Sequence, residues 1–243
     1  MNKVKVGFFS FTEITRPDEH RAYNEWHQLD HMPEQLPLEG VAHGQRWVCT
    51  PACRTARARS EPELDPAHYV TLYLMTEPID RTLTDFRDLG AQLSAMGRFH
   101  RYRRSHLGGP FLFVKAYAAP RVLVSPEAVP YRPHRGIHVS VSEPGERRGL
   151  DDWLTWLDQV RVPALLSLAG VVGVWTFTGY EAANAFQSAP ITKQITVAWL
   201  DEDPVTVAGA IAGLAPYTGS ASITRILESP FETIEPHHWD WFD

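Results

Sequence analysis

Apolar positions recur along this chain with two spacings, every second residue and about every 3.6 residues, and the switches between them mark out its elements. Residues 4–11 are β-branched and aromatic and predict a first strand. Thr15, Pro17 and Asp18 then carry a helix start: a cap, a proline suited to the first turn, and an acid at the positive end. This helix is expected to reach His31. Ala22, Trp26 and Leu29 form its buried stripe, and Tyr23, His27 and His31 form an adjacent stripe. Pro33 stops the helix, and Gly40 marks the turn into a second strand over 41–48. Residues 49–67, with three prolines and several arginines, read as a long mobile excursion. A third strand over 68–75 alternates cleanly. Val70, Leu72 and Leu74 are expected to face helices, and Tyr69, Thr71 and Tyr73 the opposite side. A second helix over 79–99, a break at Gly108-Gly109-Pro110 and a fourth strand over 111–117 follow.

Residues 118–135 carry four prolines and no periodicity, and read as a linker. The order of elements then repeats. Strands are expected at 136–142, 171–177, 193–200 and 221–227, helices at 150–160 and 205–214, and a loop up to about residue 190. The aromatics of the tail, residues 235–243, are expected to pack on the body. Trp26, Pro33, Leu36, Leu38, Gly40 and Val41 each have an identical residue 130 positions later: Trp156, Pro163, Leu166, Leu168, Gly170 and Val171. A run of matches at one offset signals internal duplication. The expected architecture is therefore α+β. Two βαββαβ (ferredoxin-like) repeats, 1–117 and 136–243 with 118–135 between them, press their sheets together as an α+β barrel with helices outside.

Composition narrows the function classes. The 243 residues are 44% hydrophobic with a net charge of −6, which argues against a general nucleic-acid binder. The basic clusters Arg54/Arg57/Arg59 and Arg98/Arg101/Arg103/Arg104 read as a solvated loop and a helix C-terminus. No apolar run is long enough to span a membrane, and residues 1–11 read as a strand rather than a leader. Cys49 and Cys53 alone do not make a zinc site, and a reduced, cytoplasmic protein is the simplest reading. There is no dinucleotide fingerprint, P-loop or nucleophile elbow.

Candidate chemistry concentrates in two places. Residues 24–47 crowd His27, Asp30, His31, Glu34, His43 and Arg46 together. His27 and His31 are spaced as two metal ligands would be, with His43 the nearest third, but no complete metal motif is present. Trp47 and Phe177 are assigned to the helix side, which puts Arg46 inside the barrel, where it needs a carboxylate. Strand alternation also points Phe8, Ser10, Tyr69, Thr71, Tyr73, His138, Ser140, Gln194 and Thr196 inward. A half-polar interior with aromatic walls suits a small-molecule pocket. The base would be His138 or His31. Arg46, Tyr69 or Tyr73 would stabilise an enolate or phenolate, and Phe8, Ser10, His27, Thr71, Ser140, Gln194 and Thr196 would hold substrate.

Asn24, Trp26, His31, Pro33, the Gly40-Val41 turn, Arg46 and the run YVTLYL resemble the dimeric α+β barrel superfamily, nearest its EthD-like and stress-responsive branch, here as a tandem fusion. The second half departs from the motif, with Arg161, Ala164 and Thr176 in place of His31, Glu34 and Arg46. The resemblance implies one motif-bearing half. The superfamily that the chain resembles includes cofactor-free monooxygenases, isomerases, polyketide cyclases, lyases, haem enzymes and members without known activity. The favoured expectation is a cofactor-independent enzyme acting by proton transfer (an isomerase, cyclase or lyase) on a small aromatic or polyketide-like substrate. An oxygenase, cofactor-free or haem-dependent, is the alternative, and a non-catalytic binding or stress protein the second. No cofactor is expected, with haem or a metal left open. The expected partner is a small-molecule substrate, without nucleic acid or membrane. A homodimer is open, with no interface legible.

Overall fold

The computed structural model describes residues 3–145, 147–180, 186, 192–219 and 222–242. Much of the loop expected before residue 190 lies outside them.

The first half runs β1 (Val4–Ile14), α1 (His20–Trp26), a π-helical turn (His27–His31), α2 (Met32–Gln35), β2 (Val41–Val48), α3 (Pro51–Thr55), β3 (Arg59–Ser60), β4 (Tyr69–Thr76), α4 (Ile79–Ala95) and β5 (Arg103–Ala118). The second runs β6 (Gly136–Pro144), α5 (Arg147–Trp156), a second π turn (Leu157–Arg161), α6 (Val162–Leu166), β7 (Val171–Gly179), β8 (Gln194–Leu200), α7 (Pro204–Ala212) and β9 (Ile223–Thr233). Among the described residues all strands form one antiparallel sheet in the order β2-β4-β1-β5-β7-β8-β6-β9-β3. Trp47 and Val48 of β2 also pair with Thr233 and Glu232 of β9, so the sheet closes on itself as a barrel. The order β2-β4-β1-β5 in the first half recurs as β7-β8-β6-β9 in the second.

The expected helix stop at Pro33 is overturned. The chain stays helical to Gln35 by widening one turn, in which the Met32 N–H donates to the His27 carbonyl five residues back. Proline has no N–H to give, and it falls where the hydrogen-bond register is already shifting. Leu36 then resumes ordinary bonding to Met32. The same device sits 130 residues on, where the Val162 N–H donates to Leu157 just before Pro163.

The expected burial stripe is also overturned. Ala22 and Leu29 are exposed, and the buried face of the helix is His20, Tyr23, Asn24, His27 and His31. The sheet is inverted in the same sense. Alternation holds, but Phe9, Phe11, Val70, Leu72, Leu74, Val139, Trp175, Phe177, Val197 and Trp199 form one cluster filling the barrel. Phe8, Tyr73, Met75 and Leu83 form another beneath the helices of the first half. The reason is volume. A closed barrel of about eight strands has an interior wide enough that bulky side chains must fill it, and water cannot solvate polar groups left there. The larger, drier residues go in, and the mixed face is left to the amphipathic helices. Trp47 is interior and Arg46 is not, the reverse of the expectation.

Residues 49–67 are not a loose excursion. Cys53, Leu64 and Ala67 are fully buried against one end of the barrel core, and β3 pairs with β9. Arg57 is buried here and donates to the carbonyls of Asp65 and Ala67. The Gly108-Gly109-Pro110 stretch lies within β5 rather than ending a helix. Gly40 has φ +90°, and a Cβ there would stand 2.1 Å from Thr82 Oγ1, so both the turn and the approach of α4 require glycine. The tail packs as expected: Trp239 is buried with Tyr23 and Tyr69, and Phe242 stacks on His20 at 4.0 Å.

Candidate active site

The helix-facing side of the first half holds a cavity of about 290 Å³. Its floor is Phe8 and Ser10 of β1 with Thr71 and Tyr73 of β4. Its roof is Tyr23, Trp26, His27, His31 and Gln35 along the widened helix, and Arg103, Ser105 and Gly108 of β5 close one side. The π turn belongs to the geometry: it spans His27–His31, and both histidines at its ends are buried and line the cavity. Such turns recur at functional sites.

His31 lies flat on Trp26, with ring centroids 4.6 Å apart, and its Nε2 accepts from the Gln35 amide at 3.1 Å. With Nε2 an acceptor, the proton of the neutral ring sits on Nδ1, and that atom is buried without a partner. His27 meets His31 edge-on at 5.1 Å, and its Nδ1 is likewise buried and unpartnered. Burial pushes His31 down to about 4, helped by the positive charge of Arg103. Burial, then Arg46 and His31, hold His27 well below the ordinary histidine range. Both rings are neutral near pH 7.

Arg46 lies behind this wall, 2% exposed. Its Nη2 donates to Asn24 Oδ1 at 2.8 Å, and its guanidinium sits 5.1 Å from the Tyr23 ring and 5.6 Å from that of Tyr69. Its Nε and Nη1 have no partner. The expected carboxylate is replaced by two ring faces and an amide. Tyr69 is part of this support: its hydroxyl accepts from Asn24 at 2.9 Å and lies 2.8 Å from His20 Nδ1. The Tyr73 hydroxyl and Thr71 Oγ1, on the cavity floor, are buried and unpartnered. Burial raises the phenol of Tyr73, so it stays protonated and can donate. Arg103 stacks over Phe99 at 4.5 Å and pairs with no carboxylate among the described residues. Unpartnered buried polar atoms carry a cost unless something binds them, and here they converge on one cavity.

The residues expected to share one interior site are thus split. Phe8, Ser10, His27, His31, Thr71 and Tyr73 line the first cavity, with Arg46 and Tyr69 behind it. Ser140 and Thr196 line a different cavity in the second half. His138 and Gln194 are buried on that same half but line neither, so His138 is not beside the tyrosines as alternation alone implied. Asp30 and Glu34 turn away to Arg98, at 2.9 and 2.8 Å. His43 packs on Tyr131 at 5.0 Å and does not line the first cavity. Among the described residues no three His, Cys, Asp or Glu side chains converge as metal ligands, and no helix is long and apolar enough to cross a membrane. Tyr23, Trp26, Gln35 and Arg103 also line the cavity and were not among the expected site residues. Tyr23 and Gln35 extend the four-residue spacing of His27 and His31 in both directions, which was the available signal. Arg103 was hidden within an arginine-rich run.

No family model matches the sequence, and no curated protein matches it. Among solved structures the chain is similar to a chlorite dismutase-like protein, at 8% identity and TM-score 0.54, over 97% of this chain and 96% of that one. It is more loosely similar to an anthrone oxidase-like protein, at 9% identity and TM-score 0.47, over 96% and 92%. The first likeness places the chain among α+β barrel folds.

Proposed function

We propose that the first cavity is the active site of an oxygenase-type barrel enzyme that needs no cofactor and acts on a small planar aromatic bearing a phenol or ketone. The observation that carries the reading is the pairing of two neutral, buried histidines with two arginines around an aromatic-walled cavity. Neutral imidazole accepts a proton, and Arg103 and Arg46 favour the anion left behind. A substrate anion held in a dry site is electron-rich. It reduces dioxygen directly, with a ring CH₂ and O₂ giving C=O and H₂O. His31 is the proposed base, freed when substrate displaces the Gln35 contact or through proton exchange at Nδ1. Tyr73 and Thr71 are the proposed donors to the substrate oxygen.

Haem fits these residues poorly. The cavity holding the histidines is only about 290 Å³, its His31 lies flat on an indole with one nitrogen already bonded, and its His27 is packed edge-on against that His31 ring. The larger cavity has no histidine in its lining, and a haem iron needs an axial ligand. We also read the two halves as tandem ferredoxin-like copies, supported by the shared strand order and by π turns 130 residues apart. The EthD-like likeness rests on the motif of the first half alone.

The test is oxygen uptake by the purified chain with a panel of hydroxynaphthalenes and anthrones. Uptake matched by quinone formation, falling roughly 10²–10⁴-fold in His31→Gln, is the expected result. Deuterium incorporation without uptake would support proton transfer alone. A Soret band in the active preparation would overturn the cofactor-free reading.

A further inference from the structure

The second half carries its own cavity, about 490 Å³, between the β6–β8 face and the helices above it. Position by position it is the counterpart of the first: Trp153 and Trp156 stand 130 residues after Tyr23 and Trp26, and Arg161 after His31. Its chemistry has diverged from base to cation. We propose that this cavity binds an aromatic monoanion, with a carboxylate held by Arg161 and the ring system packed on Trp153, Trp156 and Tyr217.

Three observations converge on this. The first is shape. Trp153 and Trp156 stack at 4.8 Å and 27°, and Tyr217 meets both edge-on at 5.3 Å, which makes a flat apolar wall. The second is charge. Arg225 pairs with Glu228 at 3.4 Å. Arg161 lines the same cavity and feels the same carboxylate, so two arginines share Glu228 and one positive charge of the cluster is left uncompensated. A partly buried cation without a full counter-charge is costly, and a ligand anion removes that cost. The third is unmet polarity: the Trp153 indole N–H and the Tyr217 hydroxyl are buried without partners. Arginine presents a planar fork of donors that matches a carboxylate. The site is separate from the proposed oxygenase pocket and does not depend on that reading.

Calorimetric titration of the full chain with 2-naphthoate tests it, alongside 2-naphthamide, which has the same ring system and no charge. Wild type is expected to bind naphthoate at least tenfold more tightly than naphthamide. Arg161→Gln should lose that preference with an unchanged melting temperature. Leu214→Trp, which fills the cavity from α7's end, should block binding by bulk, and His31→Gln should leave this site intact. Equal binding of the two probes to wild type, or naphthoate binding unchanged in both Arg161→Gln and Leu214→Trp, overturns the proposal.

Discussion

His31 and His138 are both buried and both lie far below the usual histidine range, His31 at about 4 and His138 at about 3. What separates them is access. His31 borders a cavity and His138 does not, so the two substitutions should fail differently. His138→Ala is expected to lower the melting temperature while the folded fraction keeps near-normal turnover. His31→Gln is expected to fold normally and lose turnover. Measuring both quantities on the same preparations decides it; a stable, inactive His138→Ala would return the base to the second half. Because His31 stays neutral to about pH 4, the acid limb of kcat/KM should fall below pH 5 rather than at the ordinary histidine value. The residue types of the site were legible in the sequence, since histidines spaced by four on a helix invite the question. Which stripe of that helix is buried was not. Apolarity favours burying Ala22 and Leu29, yet Leu29 is 53% exposed while Asn24 is buried, held by Arg46 and Tyr69.

At the scale of elements, the informative miss is Pro33. Sequence rules treat proline as a stop because it removes an N–H in mid-helix and clashes with the preceding turn, at about 3 kcal/mol. In this chain it follows a π turn, where bonding has already slipped by one residue, so its missing donor coincides with a change of register rather than interrupting a regular α ladder. Pro33→Ala is therefore expected to change unfolding free energy by less than ~1 kcal/mol, against the ~3 kcal/mol gain expected on relieving a true interior proline. Chemical denaturation measures this directly, and a gain near the larger figure would show that the turn is strained by the proline. Strand positions and alternation were legible, because β-branched and aromatic runs announce themselves. The side of the sheet each set occupies was not, because a period of two fixes only which residues share a face.

Across the whole molecule, burial of histidine is a recurring theme. His20, His31 and His134 are pushed to about 4, and His68 and His138 to about 3, in each case mainly by loss of water around the ring. These groups bind fewer protons folded than unfolded between about pH 4 and their unfolded value near 6.5. Stability is therefore fully present above about 6.5 and declines as pH falls toward 4. Calorimetric melts from pH 7.5 to 4.5 should show a steep, cumulative drop in Tm. A flat profile would mean that these rings are solvated. The repeated order of elements was visible as matches at one offset, but closure of the sheet through Trp47 and Val48 against β9 was not, because a two-residue pairing leaves no periodic trace.

The dry, aromatic barrel interior has a consequence for how such a chain can change over time. It is the common property of both halves, so Trp47, Trp175 and Trp199 are answerable to each other across the whole molecule. The two cavities lie on the outer faces, screened from one another by that filling. They have no lining residue in common. The first half carries His27 and His31 where the second, 130 positions later, has Leu157 and Arg161, and none of the four belongs to the shared centre.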